Sequence, residues 1–170
     1  MHPPYAWRPA APTRPPAVTA VVVLEGLAVV FCLVESVVGL YILVKTMQDT
    51  GDATGLAAMT GVDVAINVLL SVGLAVAAAL LVRSSPAGRV LSWVTCVGYA
   101  VARCGCGGFS GIIAYLYGSG QIERSDFNFG ANVWYVLGAL EVVAIVLAVV
   151  IVVLLLTRPV RAHFAAVRRA

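Results

Sequence analysis

The stretch VLSWVTCVGYAVARCGCGGFSGIIAYLY, residues 90–117, places one permanently charged side chain, Arg103, inside an apolar run that is long enough to cross a lipid bilayer. An arginine at the centre of a bilayer raises the free energy of insertion by roughly 2.5–3.5 kcal/mol. Pairing with carboxylates lowers that cost, because the guanidinium donates from a fixed fork that matches carboxylate oxygens. The fold therefore depends on which other segments bring acidic side chains to the depth of Arg103.

The composition of the chain is typical of a membrane protein. Apolar residues make up 61% of the 170 residues and charged residues only 11%, whereas soluble domains have about 45–50% and 25%. Such a chain cannot cover its own surface with polar groups, so lipid is expected to be its main solvent. The formal net charge of +3 is too small to indicate nucleic-acid binding.

Four apolar runs are long enough to span a membrane: about 18–44, 62–82, 90–117 and 131–156. At a rise of ~1.5 Å per residue, each run matches or exceeds the ~30 Å thickness of the hydrocarbon core. The turn RSSPAGR between the second and third runs is short, and short connections make sequential helices antiparallel neighbours. We therefore predict an all-α, integral-membrane, antiparallel four-helix bundle over 18–157. Residues 1–17 are predicted to be a disordered proline-rich tail, and 158–170 a basic tail.

Basic residues are concentrated on one side of this predicted bundle. Eight arginines lie before the first span, in the turn after the second span or after the fourth span: Arg8, Arg14, Arg83, Arg89, Arg158, Arg161, Arg168 and Arg169. The opposite loops contain Lys45 and Arg124 beside four acidic residues. By the positive-inside rule, both termini are predicted to face the cytoplasm, with the chain in the cell membrane.

Each of the four helices is predicted to place one polar side chain in the same layer. Counted from the cytoplasmic helix ends, Arg103 lies at ~20 Å and Glu35 at ~25 Å. Asn67 and Glu141 both lie at ~22 Å. We therefore predict an intramembrane polar cluster in which Arg103 serves both glutamates. Because one guanidinium cannot neutralise two carboxylates, one glutamate is expected to hold a proton or to need a cation.

Two functions are compatible with this cluster. It can be purely structural, with hydrogen bonds and ion pairs between the helices that fix their register. Alternatively it can be a proton or cation site, with Glu25, Asp63 and Ser71 as a possible ion pathway. Asp63, Asn67 and Ser71 share one helix face by their spacing of four residues. Glu25 lies nearer the cytoplasm, without an identifiable cationic partner.

The glycines and cysteines of the third span are assigned mainly to packing. Gly107 and Gly111 have the GxxxG spacing that lets two membrane helices approach closely, and a kink beside a site is the alternative. Cys104 and Cys106 point in nearly opposite directions on a helix, and the sequence has no CxxC motif. The cysteines are therefore expected to be buried apolar groups, and neither a metal site nor a cofactor is predicted.

The entry into the first span, RPPAVTAVVVLEGLAVV at residues 14–30, resembles the uncharacterised small four-helix membrane proteins of high-GC Gram-positive bacteria. In these proteins a proline-rich tail leads directly into a Val/Ala/Leu helix. The resemblance implies a location in the cell membrane and carries over no catalytic residue.

The sequence contains no catalytic motif, and four spans leave little chain for a soluble catalytic domain. We therefore expect a non-enzymatic membrane protein whose partners are the lipid bilayer and either further copies of itself or other membrane subunits. An oligomeric channel or carrier for protons, cations or a small solute is the alternative. A membrane thiol oxidoreductase is a third possibility, which the lack of a CxxC motif disfavours.

Overall fold

A computed structural model of the chain describes residues 14–50, 55–103 and 131–169. The helices are α1 (Pro16–Thr50), α2 (Gly55–Val82), α3 (Pro86–Ala102), α4 (Ala131–Leu156) and α5 (Arg158–Arg169). No strand occurs in these three ranges, so the all-α prediction is confirmed for them. Only the first half of the predicted span 90–117 is described, as part of α3.

Among the described residues, three helical segments are long and apolar enough to cross a membrane: Pro16–Lys45 within α1, Thr60–Val82 within α2 and Tyr135–Leu156 within α4. Large apolar side chains cover their outward faces, for example Leu69, which is 72% exposed. A helix of a soluble protein would bury such side chains. The outer surface of these helices is therefore suited to hydrocarbon, as the composition predicts for a membrane protein.

The long helices pack in a ring in which each one has two main neighbours. α1 contacts α2 and α4, and α3 contacts the same two helices. Gly39 in the second half of α1 faces Val64 in the first half of α2, whereas Arg14, just before α1, donates to the carbonyl of Val82 at the end of α2. These two contacts show that α1 and α2 run antiparallel.

The interior face of each helix repeats every third or fourth residue. On α1 the buried positions include Val18, Val21, Glu25, Ala28, Cys32 and Glu35. On α4 they are Leu137, Glu141, Ala144, Ala148, Ile151 and Leu155. This spacing follows the 3.6-residue repeat of the α-helix, so each helix presents one continuous stripe to the interior. Small and polar residues are frequent in the stripes, whereas the outward faces carry mainly Val and Leu.

The turn between α2 and α3 brings two helix ends into direct contact. Ser84 adopts a left-handed backbone conformation (φ 54°), and its amide donates to the carbonyl of Leu81 at 2.9 Å. α3 begins at Pro86, because the fixed φ of proline suits the first helical turn. A Cβ atom at Gly88 would lie 2.7 Å from the backbone nitrogen of Leu81. The glycine therefore permits an approach at backbone distance.

α4 ends where a proline follows it. Pro159 has no N–H group and cannot continue the hydrogen-bond ladder of α4. The hydroxyl and the amide of Thr157 both donate to the carbonyl of Leu154, at 2.6 and 3.1 Å. The Thr157 carbonyl in turn accepts the amide of Arg161 at 3.1 Å, which starts the next helix.

That helix, α5, covers most of the segment that the sequence predicted as a basic tail. Its buried residues, Val160, His163 and Phe164, have the spacing of one helix face, and α5 contacts α1, α3 and α4. The exposed face carries Arg158 and Arg161. α5 therefore packs across one end of the ring with its apolar side inward. We call this end the basic end, because Arg14, Arg83, Arg89, Arg158 and Arg161 all lie there.

Candidate functional site

Arg103 connects α3 with α1, α2 and α4. It directly follows α3 with helical backbone angles (φ −72°, ψ −37°), and it is only 3% exposed. Its Nη2 donates to Glu35 Oε2 on α1 and to Asn67 Oδ1 on α2, the latter at 2.5 Å. Its Nη1 donates to Asp63 Oδ1 on α2 at 3.0 Å and to Glu141 Oε1 on α4 at 3.2 Å. We call these five residues the Arg103 layer.

The structure brings together the four residues that the sequence predicted as a cluster and adds a fifth. Asp63 was assigned to a possible ion pathway, but it forms an ion pair with Arg103. Asn67 connects the two, since its Oδ1 accepts from Arg103 and its Nδ2 donates to Asp63 Oδ2 at 3.4 Å. The spacing of four residues between Asp63 and Asn67 was the signal in the sequence that could have placed Asp63 in the layer.

Tyr99 is a further member of the site that the sequence did not single out. Its ring lies against Arg103, with the guanidinium carbon 5.4 Å from the ring centroid. This distance permits a cation–π interaction. Tyr99 is 3% exposed, and its hydroxyl has no hydrogen-bond partner in the described part of the chain. The spacing of four residues on α3 places the ring one turn before Arg103.

The acidic groups of the layer differ in burial and outnumber the cation. The side chain of Glu35 is 3% exposed, that of Glu141 11% and that of Asp63 37%. Three carboxyl groups therefore surround one guanidinium, and the layer reaches the surface of the chain at Asp63. Two atoms inside it, Glu35 Oε1 and Arg103 Nε, have no hydrogen-bond partner among the described residues.

The remaining residues of the predicted ion pathway lie apart from the layer or are engaged elsewhere. The hydroxyl of Ser71 donates to the carbonyl of Val68 at 2.8 Å, within its own helix. Glu25 is completely buried, and it lies ten residues before Glu35, a rise of ~15 Å along α1.

Several predicted residues lie outside the described ranges: Gly107, Gly111, Cys104 and Cys106. The other two cysteines, Cys32 and Cys96, are 1% and 2% exposed, carry free thiols and belong to the apolar core. Within the described ranges, no group of three or more His, Cys, Asp or Glu side chains could hold a metal ion.

No known protein family matches the chain, and no curated protein or solved structure is detectably similar to it. The resemblance of residues 14–30 to small four-helix membrane proteins of high-GC Gram-positive bacteria therefore stays a prediction.

That geometry is suited to holding helices in place. The three acidic partners of Arg103 come from three different helices, α1, α2 and α4. The Arg103 side chain therefore opposes the separation of α3 from each of them. Removing one partner of a buried ion pair leaves an uncompensated charge, which is strongly destabilising. The layer therefore fixes the relative depth of all four helices.

Proposed function

We propose that the chain is a non-enzymatic, multi-pass protein of the cell membrane, folded as an antiparallel four-helix bundle with both termini in the cytoplasm. It acts by assembly, either with further copies of itself or as an accessory subunit of a larger membrane complex. The observation that carries the proposal is Arg103, which is 3% exposed and bonded to side chains of three other helices inside a ring with apolar outer faces.

The membrane setting is supported by the distribution of charge along the helices. The long helices expose Val and Leu over their central turns, and the described arginines other than Arg103 lie at the basic end. Arginine-rich segments next to membrane spans favour the cytoplasmic side. If the basic end lies in the cytoplasm, the Arg103 layer lies in the half of the bilayer that is farther from the cytoplasm.

A structural role is favoured over catalysis because the polar side chains of the Arg103 layer bind one another. Arg103 uses both terminal nitrogens on the Arg103 layer itself. Catalytic groups must come within hydrogen-bond distance of a substrate. Side chains that are buried and mutually bonded fix a fold, and partners then meet the outward faces of the helices.

Assembly is tested by the mass of the full-length protein. We expect native mass spectrometry in a mild detergent to show a defined multimer or a stable complex with another membrane protein. A single cysteine at outward Val23 should then form cross-links in membranes, after the four native cysteines are replaced by alanine. The matched control is a cysteine at inward Ala148, which is 6% exposed and should form none. A monomer without copurifying partners and without cross-links contradicts the proposal.

A second function, proton or cation transport, is favoured by one specific observation. The Arg103 layer has three carboxyl groups for one guanidinium, and Asp63 connects it to the surface. Surplus acidic groups within a membrane are typical of ion and proton pathways. In this role the layer exchanges a proton or a cation through Asp63.

Transport is tested with the purified protein in liposomes that contain a pH-sensitive dye. We expect Glu35→Gln to lower proton flux to that of protein-free liposomes, because it removes a buried carboxyl group from the layer. The control is Val101→Ala on the outward face of α3, where the side chain is 67% exposed and flux should be unchanged. Equal flux for the wild-type protein and protein-free liposomes excludes this function.

A further inference from the structure

A second acidic site lies between the Arg103 layer and α5, in a part of the interior that we call the apolar half. Its lining consists of buried residues from all five helices, including Val21, Leu74, Cys96, Ile151 and Phe164. Glu25 points into this lining from the inward stripe of α1 and is 0% exposed. It is a carboxyl group that the Arg103 layer does not use.

Glu25 has no hydrogen-bond partner within the described residues. Neither Oε1 nor Oε2 accepts a hydrogen bond. The hydroxyl of Ser92 on α3 lies close enough to the carboxyl group to interact with it, but its single proton is directed to the carbonyl of Gly88 at 2.9 Å. Within the described residues, the arrangement therefore supplies no free donor to stabilise a buried carboxylate.

No cation of the described chain pairs with Glu25 either. Arg103, the cation inside the bundle, is bound to three other carboxyl groups, and its helix level is ~15 Å away from that of Glu25. On the facing stripe of α3, Cys96 is a titratable group that interacts electrostatically with Glu25. Cys32 lies two turns further along α1 itself, towards the Arg103 layer. Tyr99 lies further along α3, towards Arg103.

The other helices that pack around Glu25 add little charge. Between the Arg103 layer and the basic end, α2 and α4 contribute no acidic, basic or histidine side chain to the interior. α5 contributes His163, whose Nε2 lies 3.5 Å from Ser84 Oγ at the end of α2. Nothing on these helices compensates a negative charge at Glu25.

An ionised carboxylate without donors or a counter-ion in such surroundings costs several kcal/mol, whereas the neutral acid costs far less. A hard cation such as Ca²⁺ or Mg²⁺ in place of a proton would need further oxygen ligands, which the engaged Ser92 hydroxyl does not supply. For softer metals, no group of three or more His, Cys, Asp or Glu side chains within the described ranges could hold an ion. We propose that Glu25 is a proton-binding site: the closed bundle holds it as the neutral acid, and the proton exchanges only when the helices around it separate.

Exchange then requires a change of packing at the basic end. Val18 and Val21 precede Glu25 on the same stripe, and α5 closes the end of the ring with Val160 and Phe164. Water reaches Glu25 from this side only after these side chains move. Proton binding at Glu25 is thereby coupled to the conformation of the bundle. A transport role for this site rests on the second function proposed above, whereas proton binding itself does not.

Infrared spectroscopy of the full-length protein in lipid bilayers tests the site directly. At neutral pH we expect the C=O stretch of a carboxylic acid without a hydrogen bond, shifted by ¹³C-labelled glutamate and absent in Glu25→Gln. The control Asp63→Asn should retain the band. In D₂O the band should shift slowly, together with the buried amides, because exchange requires opening of the bundle.

Two results contradict the proposed proton site: the absence of the carboxylic-acid band in the wild-type protein, or an unchanged band in Glu25→Gln. If Glu25→Gln does not fold, the band must persist in Glu35→Gln and Glu141→Gln, and its loss in either variant overturns the site equally. Liposome flux separates binding from transport. An acid band at Glu25 combined with undiminished proton flux in Glu25→Gln supports the site and excludes its role in transport.

Discussion

Glu35 in the Arg103 layer and Glu25 in the apolar half are carboxyl groups on the same face of the same helix, yet their surroundings are opposite. Glu35 is 3% exposed and bonded to a guanidinium, whereas Glu25 is 0% exposed and accepts no hydrogen bond. In the first region, ion pairs between helices offset the desolvation of charge. In the second, side chains are held by apolar packing, and a carboxyl group is compatible with it when it carries a proton.

The difference shows that burial alone does not define the role of an acidic residue in a membrane helix. The same residue type stabilises the fold where a cation reaches it from a neighbouring helix, and becomes a proton site where none does. Variants that remove the cation, one of the acids or the close packing should therefore affect the two regions differently.

The largest effect is expected from Arg103→Ala. The substitution leaves three carboxyl groups in the interior without their cation, and breaking a buried pair in this way lowers the free energy of unfolding by ~3–5 kcal/mol. Denaturant unfolding in mixed micelles, followed by circular dichroism, measures it. Val101→Ala, two residues earlier on the outward face, is the control and should change little. Equal stability of Arg103→Ala and the control would show that the layer does not hold the helices.

Within the Arg103 layer, we expect the more buried acidic residues to contribute more to the free energy of unfolding. Glu35→Ala removes a fully buried, charge-assisted partner of Arg103 and is expected to lower the free energy of unfolding by ~1.5–3 kcal/mol. Asp63→Ala should cost less than about 1 kcal/mol, because its side chain is 37% exposed near the end of the segment Thr60–Val82 and its ion pair is therefore less desolvated than that of Glu35. The same unfolding assay compares them. The reverse order would mean that Asp63, and not Glu35, is the main partner of Arg103.

The apolar half is tested by the close approach at Gly88. A Cβ atom there would lie 2.7 Å from the Leu81 nitrogen and 2.8 Å from Leu80 Cβ, so Gly88→Ala must push two helix ends apart. Overpacking of this kind lowers the free energy of unfolding by ~1–3 kcal/mol. Gly98→Ala on the same helix is the control, because a Cβ atom there meets nothing within 4 Å. It should be neutral or stabilise by up to ~1 kcal/mol. Similar effects of the two substitutions would contradict the close packing of α2 and α3.

The smallest effect is expected where α5 closes the basic end. His163→Ala removes the contact between Nε2 and Ser84 Oγ, and because their distance of 3.5 Å is long for a hydrogen bond, the loss is expected to cost ~0.5 kcal/mol. Hydrogen exchange of the α5 amides should become faster while that of α1 stays unchanged. Arg161→Ala, on the exposed face of α5, should leave both unaffected. Protection of α5 that does not respond to His163→Ala would show that this contact does not hold the helix in place.

Much of the Arg103 layer was predictable because an α-helix converts residue number into depth and direction. A rise of ~1.5 Å per residue placed Glu35, Asn67 and Glu141 near the level of Arg103, and the 3.6-residue repeat placed them on inward faces. Asp63 was assigned to a pathway instead, because its contact with Arg103 depends on the distance between α2 and α3. The spacing of residues within α2 or α3 does not give the distance between side chains of the two helices.

The basic end was less predictable for the same reason. Val160, His163 and Phe164 have the spacing of one helix face, and this signal was present in the sequence. The high arginine content indicated a solvated tail. The packing of α5 could not be predicted, because the apolar surface that it covers is formed only when α1, α3 and α4 come together. The importance of Gly88 likewise depends on the atoms of α2 that lie opposite it.

The sequence by itself determined the apolar character of the outer surface, the approximate positions of α1, α2 and α4 and the relative height of the interior polar groups along them, because these follow from local composition and from the fixed geometry of the α-helix. Only the tertiary structure decided which of those groups meet. Whether a charged group is paired or isolated depends on contacts between helices. Glu35 is bonded to Arg103 because the guanidinium reaches it from α3, whereas no cation among the described residues reaches Glu25, which is left with a proton.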